Sequence, residues 1–193
     1  YLRLSQAEKY YQFSSNEEVF DDKQPLWPTI YLCLRCGDVE AARQVAIKTR
    51  KDDIVTYLDE MIKNRSSHLS STSENKLKLE YKSMIRRGND LYKRAVYCYL
   101  CKNSGDIDSI NEILDNVDDF LWFKLNLIQV NSQNQNDPSI LTYQQFQSQL
   151  SIDFGEKYFI KQNGNPFIYL QVLLLTGQFE LAIELLLKYE TTI

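Results

Sequence analysis

Along almost all of this chain, apolar side chains return every three or four residues, the spacing that gathers them on one face of an α-helix. Trp27, Ile30, Tyr31 and Leu34 stand at i, i+3, i+4 and i+7, and Val39, Ala42 and Ala46 resume the pattern after Gly37. Over 117–130 two ridges run side by side, Val117, Leu121, Leu125, Ile128 and Phe120, Phe123, Leu127, Val130. Paired ridges imply a helix buried over a wide arc. No segment shows the strict alternation of a half-exposed strand; Tyr158-Phe159-Ile160 is the best strand candidate, and it is short. Six glycines and four prolines in 193 residues keep helix interiors nearly free of the residues that disfavour them most.

The helix ends are legible as well. In Arg35-Cys36-Gly37-Asp38-Val39, glycine supplies a left-handed closing residue and Asp38 caps the helix that follows. Ser104-Gly105-Asp106-Ile107 and Thr176-Gly177-Gln178-Phe179 read the same way. Asn165-Pro166 sets a cap before a proline at the first helical position, and Thr142 with Gln145 fits a capping box. These signals predict helices over 26–36, 38–49, 52–63, 75–87, 90–103, 106–115, 117–131, 142–152, 166–176 and 178–190, with a short one in 153–160. Connections this short force neighbouring helices antiparallel. Gly37, Gly105 and Gly177 then punctuate a repeat of helix pairs, each about 35 residues long as in helical repeat proteins.

The expected fold is therefore all-α: an α-helical solenoid of stacked antiparallel helix pairs, read as one segment over 1–193. Two polar stretches, 64–74 and 131–139, read as mobile loops. Over 167–175 the chain is apolar nearly all round, and over 179–189 the polar residues Glu180, Glu184 and Lys188 form one narrow stripe. Helices so apolar need neighbours on several sides. That feature, with Tyr1 in place of an initiator Met, predicts a fragment of a longer solenoid that continues past Ile193.

A formal net charge of −4 and a pI near 5.1 disfavour a phosphate-neutralising nucleic-acid binder. The longest apolar stretch is far short of the about 20 residues that span a bilayer. Four cysteines are too sparse for a disulfide-stapled scaffold, and Asn64-Arg65-Ser66 reads as a chance glycosylation tripeptide.

Candidates for chemistry are few. Cys33/Cys36 and Cys98/Cys101 form two C-x-x-C pairs, and four thiolates are a zinc set in principle. Both pairs lie in predicted helices, lack turn-forming knuckles and stand much farther apart than the about 15–20 residues usual for zinc ribbons. Core packing is the favoured reading, and no metal or cofactor is expected. The single histidine, His68, sits in a Ser-rich loop with no second histidine to build a triad. Asp52/Asp53 and Asp118/Asp119 stand at predicted helix starts, where acidic side chains suit the dipole. The basic run Lys76, Lys78, Lys82, Arg86, Arg87, Lys93 and Arg94 reads either as a solvated helix face, which is favoured, or as a patch for an acidic partner. No catalytic, cofactor-binding or metal-binding residue is assigned, no enzyme is expected, and partner-binding residues carry no signature of their own.

Ten blocks carry a resemblance: Leu26-Trp27-Pro28, Tyr31-Leu32-Cys33-Leu34-Arg35-Cys36-Gly37-Asp38, Glu74-Asn75-Lys76-Leu77, Tyr92-Lys93-Arg94-Ala95-Val96-Tyr97-Cys98 and Leu121-Trp122-Phe123-Lys124-Leu125-Asn126 come first. Gln145-Phe146-Gln147, Phe154-Gly155-Glu156, Pro166-Phe167, Tyr169-Leu170-Gln171-Val172-Leu173 and Gly177-Gln178-Phe179-Glu180 follow in order. In these blocks the chain resembles the nucleoporin-interacting component family, the large inner-ring scaffold nucleoporins of the nuclear pore complex. Residues 1–20 and the stretches around 102–118 and 131–141 depart from that likeness. The resemblance implies a mid-solenoid scaffold segment at the nuclear envelope that binds other nucleoporins and serves pore assembly and transport. The family's linker-nucleoporin contacts belong to its solenoid, whereas its contacts to channel nucleoporins and large solenoid adaptors belong to segments outside this stretch. Direct nucleic-acid binding and membrane spanning are not expected. The alternatives are another helical solenoid, such as a vesicle-coat or ubiquitin-ligase adaptor, and a zinc-dependent regulator built on the four cysteines.

Overall fold

The computed structural model describes residues 19–20, 24–66, 68–128, 141–163 and 165–190. The predicted loop at 131–139 and the role of residues 1–18 lie outside them. The chain divides into two compact units, Tyr1–Leu114 and Asp115–Ile193. Among the described residues both are built of helices, apart from a two-residue strand pair, β1 (Val19–Phe20) antiparallel to β2 (Gln24–Pro25), and a single bridge between Ile128 and Leu141.

In the first unit, α1 (Leu26–Arg35), α2 (Val39–Lys48), α3 (Asp52–Asn64), α4 (Ser71–Glu80) and α5 (Leu91–Leu100) are followed by a 3-10 helix, Ile107–Ile113. The punctuation around Gly37 is as the sequence implies. Gly37 takes φ 77°, Asp38 N–H closes onto Cys33 O at 2.9 Å, and the Asp38 carboxylate accepts from Ala41 N–H at 2.9 Å. Helix α1 packs on α2 and α5, and α2 on α3. Trp27, Ile30 and Leu34 on one side and Ala42 and Ala46 on the other are all buried, the alanines letting the second helix approach closely. Arg43 of α2 donates to Asp59 of α3.

The α3–α4 junction departs from expectation. Helix α4 begins at Ser71, four residues earlier than predicted, so residues 71–74 belong to a helix and the loop is shorter. The cause is capping: Ser70 Oγ accepts from Ser73 N–H, and the Glu60 carboxylate of α3 accepts from both Ser70 N–H and the Ser73 hydroxyl. Those bonds hold the Glu60 carboxyl below the usual range, the Ser73 hydroxyl first. At its other end α4 widens into a π-type turn over Tyr81–Ile85, where Arg86 N–H reaches Tyr81 O, five residues back, at 2.9 Å.

Helix α5 is the centre of this unit. Every residue from 95 to 103 is buried, against α1, α4, its wide turn and the 3-10 helix. Its end corrects the reading of Gly105. Closure falls on Lys102, at φ 51°, with Asn103 N–H on Cys98 O at 3.1 Å. Gly105 instead donates its N–H to Asn103 Oδ1 at 3.1 Å. The segment after it winds as a 3-10 helix rather than the predicted α-helix over 106–115, and Asp106 makes no side-chain cap bond.

The second unit holds α6 (Val117–Leu127), α7 (Tyr143–Ser148), α8 (Gly155–Asn163), α9 (Pro166–Leu175) and α10 (Phe179–Glu190). The Thr142/Gln145 capping box is complete, and α7 runs into a second wide turn, Gln149–Phe154. The strand candidate Tyr158-Phe159-Ile160 is helical, within α8. Its rings explain the choice: Phe159 packs against Tyr169 at 5.4 Å and against Phe154 at 6.3 Å between centroids. Leu121, Phe146, Leu150, Phe159, Val172, Leu173 and Ala182 form the core.

Candidate interaction surface

The residues singled out for chemistry are not brought together. Cys98 and Cys101 are buried on α5, whereas Cys33 is half-buried and Cys36 exposed at the end of α1; all four are free thiols. Burial pushes the Cys98 and Cys101 thiols up to about 12, and it raises Cys33 as well. Groups held so firmly protonated are poor thiolate donors. Among the described residues, no cluster of three or more His, Cys, Asp or Glu is placed to hold a metal ion. Partial burial, then the Lys102 ammonium, holds the His68 imidazole below the usual range.

Asp52 and Asp53 open α3, and Asp118 and Asp119 open α6, the helix-start positions the sequence assigned them. Asp119 N–H is capped by Asn116 Oδ1 at 2.8 Å, and Asp118 Oδ1 accepts from Gln171 Nε2 of α9 at 3.1 Å.

The basic run splits by direction. Lys78 pairs with Glu74 at 2.7 Å, Arg86 with Asp106 at 2.8 Å, and Lys93 lies 4.9 Å over the Trp27 ring. Arg94 is turned inward, its Nε buried without a hydrogen-bond partner. Lys82 and Arg87 remain on the solvent side of α4 and its turn, as do the exposed side chains of Leu79 and Met84, whereas Lys76, though exposed, has its Nζ 6.0 Å over the Tyr57 ring of α3. The sequence marked these cations as one run; helix geometry divides them into a structural set and an outward set.

A buried lysine had no sequence signal at all. Lys102 is fully buried, its Nζ 4.5 Å above the Tyr99 ring, and burial lowers its pKa to about 8.

Among the described residues, exposed large apolar side chains are most numerous on the last two helices. Phe167, Leu174 and Leu175 of α9 and Phe179, Ile183, Leu186 and Leu187 of α10 are all exposed, Phe167 and Phe179 by 62% and 61%. The turn between the helices is nonetheless tightly built. Gly177 takes φ 66°, Gln178 N–H closes onto Leu173 O at 2.8 Å, and the Thr176 carbonyl accepts from the Tyr143 hydroxyl and from Gln147 Nε2. Lys188 and the Tyr189 hydroxyl both bond to Glu156 of α8, Lys188 first among the causes that hold its carboxyl below the usual range. The exposed apolar side chains therefore sit on a fixed frame. Contiguous exposed apolar side chains of this kind are characteristic of contact surfaces. Among the described residues, no helix is long and apolar enough to cross a membrane.

Comparison with known proteins gives concordant results. The family model Nup93/Nic96 matches residues 1–193. Nuclear pore complex protein Nup93 of Xenopus laevis is 42% identical over 173 residues, which cover 87% of this chain and 21% of that protein. Nucleoporin NIC96 of Saccharomyces cerevisiae is 27% identical over 192 residues, 94% of this chain and 22% of that protein. The crystal structure of Chaetomium thermophilum Nic96 SOL superposes with a TM-score of 0.71 over 96% of this chain and 28% of that one, at 20% identity. The chain thus spans about a fifth of the length of the curated relatives it matches.

Proposed function

Because the chain belongs to the Nup93/Nic96 family, we propose that it is a scaffold segment of a nucleoporin in the inner ring of the nuclear pore complex. It acts by binding protein, not by catalysis. The observation that carries this reading is the 42% identity to Nup93 over 173 residues, 87% of this chain. Two built features support it: helices with tight closures, and apolar side chains displayed on a fixed frame. Its partners in this reading are other nucleoporins, with linker nucleoporins meeting the helical stack itself. In this reading both units belong to the helical stack of the scaffold, and the exposed side of α9 and α10 receives a further helix pair. The relatives' names give no support to a vesicle-coat or ubiquitin-ligase adaptor.

The test is localisation of the tagged full-length protein. A continuous nuclear rim that withstands detergent extraction of membranes is expected. Mobile cytoplasmic puncta would overturn the proposal.

A further inference from the structure

We infer that the solvent side of α4 and its wide turn is a docking surface for an acidic segment of a partner protein that carries apolar anchors. This rests on the scaffold reading and adds to it a surface and a partner chemistry.

Leu79 and Met84 are 71% and 74% exposed, well above any other large apolar side chain of their unit among the described residues. The wide turn produces part of this exposure. Tyr81 and Ile85 are both buried, and Lys82, Ser83 and Met84 all face solvent between them. A π-type turn has more residues per turn than an α-helix, so three consecutive side chains fit on the outer side. Such single-turn insertions recur at functional sites. Methionine also suits contact surfaces, because its unbranched thioether adapts to what it meets.

Lys82 and Arg87 share the exposed side of this segment with these two side chains, Lys76 stands at its rim with its Nζ 6.0 Å over the Tyr57 ring, and the acids of the same helix are directed elsewhere. Glu74 is half-buried against Lys78, and Glu80 accepts from the Tyr97 hydroxyl of α5 at 2.9 Å. Arg86 adds a fourth cation at the rim: it pairs with Asp106, yet its side chain stays 60% exposed. A strongly basic strip on a chain of net charge −4 is a local field of one sign. Carboxylates spaced around leucine-like anchors complement it; the apolar pair is covered while the cations are neutralised. An anionic membrane fits less well. The helix already buries its apolar stripe of Leu77, Tyr81 and Ile85 in the protein and presents outward only two large apolar side chains, against the broad apolar face of an interfacial helix.

The experiment places the photocrosslinker benzoylphenylalanine at position 84 of the full-length protein in isolated nuclear pores. The same label at the exposed position 108 serves as control. The expected product is a crosslink to a protein segment in which Asp or Glu residues surround a large apolar residue. Its yield should fall to about a tenth with Lys82→Glu and Arg87→Glu together, and persist with Lys82→Arg and Arg87→Lys. Circular dichroism of the purified variants should show an unchanged melting temperature, since both residues are exposed. A yield no higher than at position 108, a crosslink to lipid, to nucleic acid or to an acid-poor segment, or survival of the crosslink in the double glutamate variant would overturn the inference. A protein that never reaches the nuclear rim defeats the scaffold reading and this one with it; a protein at the rim without the crosslink defeats only the docking surface.

Discussion

Arg50, Arg65 and Lys102 close helices in the left-handed conformation, at φ 55°, 49° and 51°, where glycine is the usual occupant. For an L-residue this conformation costs about 1–2 kcal/mol. Part of that is offset by a cation near the helix C-terminus and by a less flexible unfolded chain. Arg50→Gly and Arg65→Gly should therefore each stabilise the fold by about 0.5 kcal/mol in urea titrations. The opposite exchange should be graded. At Gly37 an added Cβ meets nothing within 4 Å, so Gly37→Ala carries the backbone cost alone, about 1 kcal/mol. At Gly177 the same Cβ would stand 2.8 Å from the Tyr143 hydroxyl, which bonds to Thr176, so Gly177→Ala should cost more.

Lys102 makes the clearest pH prediction. Its pKa of about 8 in the fold lies below its ordinary 10.5, so the unfolded state holds the proton more tightly. The penalty of the buried ammonium is complete below pH 8, about 3 kcal/mol, and disappears as pH rises through 10.5. Lys102→Met keeps the volume and removes the charge. It should stabilise the protein at pH 7, and its advantage should shrink between pH 8 and 10.5. Comparing variant with wild type between pH 8 and 9 keeps clear of the opposing effect of Cys98 and Cys101. Their raised pKa values stabilise the fold fully below pH 9, and that contribution is lost as pH climbs toward 12. A constant gap across this window would contradict the account.

Elements differ in how much of their surroundings they reveal. Helix α5 carries Lys93, Arg94, Lys102 and several tyrosines in and around it, yet it is the helix enclosed on all sides from residue 95 onward. Tyrosine rings and lysine stems pack as apolar matter with a polar tip, so an enclosed helix need not read as apolar. Helices α9 and α10 show the reverse: α9 is the most apolar helix described, and together the two carry the greatest number of exposed large apolar side chains among the described residues. Their outward face gives a direct test of that geometry. Ile183→Glu with Leu187→Glu should reduce self-association of the 193-residue chain in sedimentation velocity and shift its melting temperature by no more than a few degrees. A collapse in stability would mean those side chains are part of the core. The wide turns after α4 and α7 had no signature either, because a one-residue change in hydrogen-bond span leaves composition untouched.

For the molecule as a whole, the decisive negative test concerns metal. With Cys98 and Cys101 buried and protonated on α5 and Cys36 exposed at the end of α1, stability should owe nothing to zinc. Purified protein should carry no stoichiometric zinc, and EDTA should leave its melting temperature unchanged. Alkylation of the native chain should reach Cys36 first and Cys98 and Cys101 only on unfolding. Zinc that is lost with Cys98→Ser would reverse this reading.

The sequence by itself determined the helices, most of their ends and their hairpin connections. Period, capping and closing glycines are local matters, set by residues within a turn or two of one another. It also determined the family, because a long run of similar blocks survives without any single decisive motif. Tertiary structure decided what depends on neighbours distant in the chain: which helix is enclosed, where Lys102 is buried, and how seven cations divide between packing and solvent. It also decided that Glu60 reaches across from α3 to start α4 early, a bond between side chain and backbone ten residues away that no local pattern encodes.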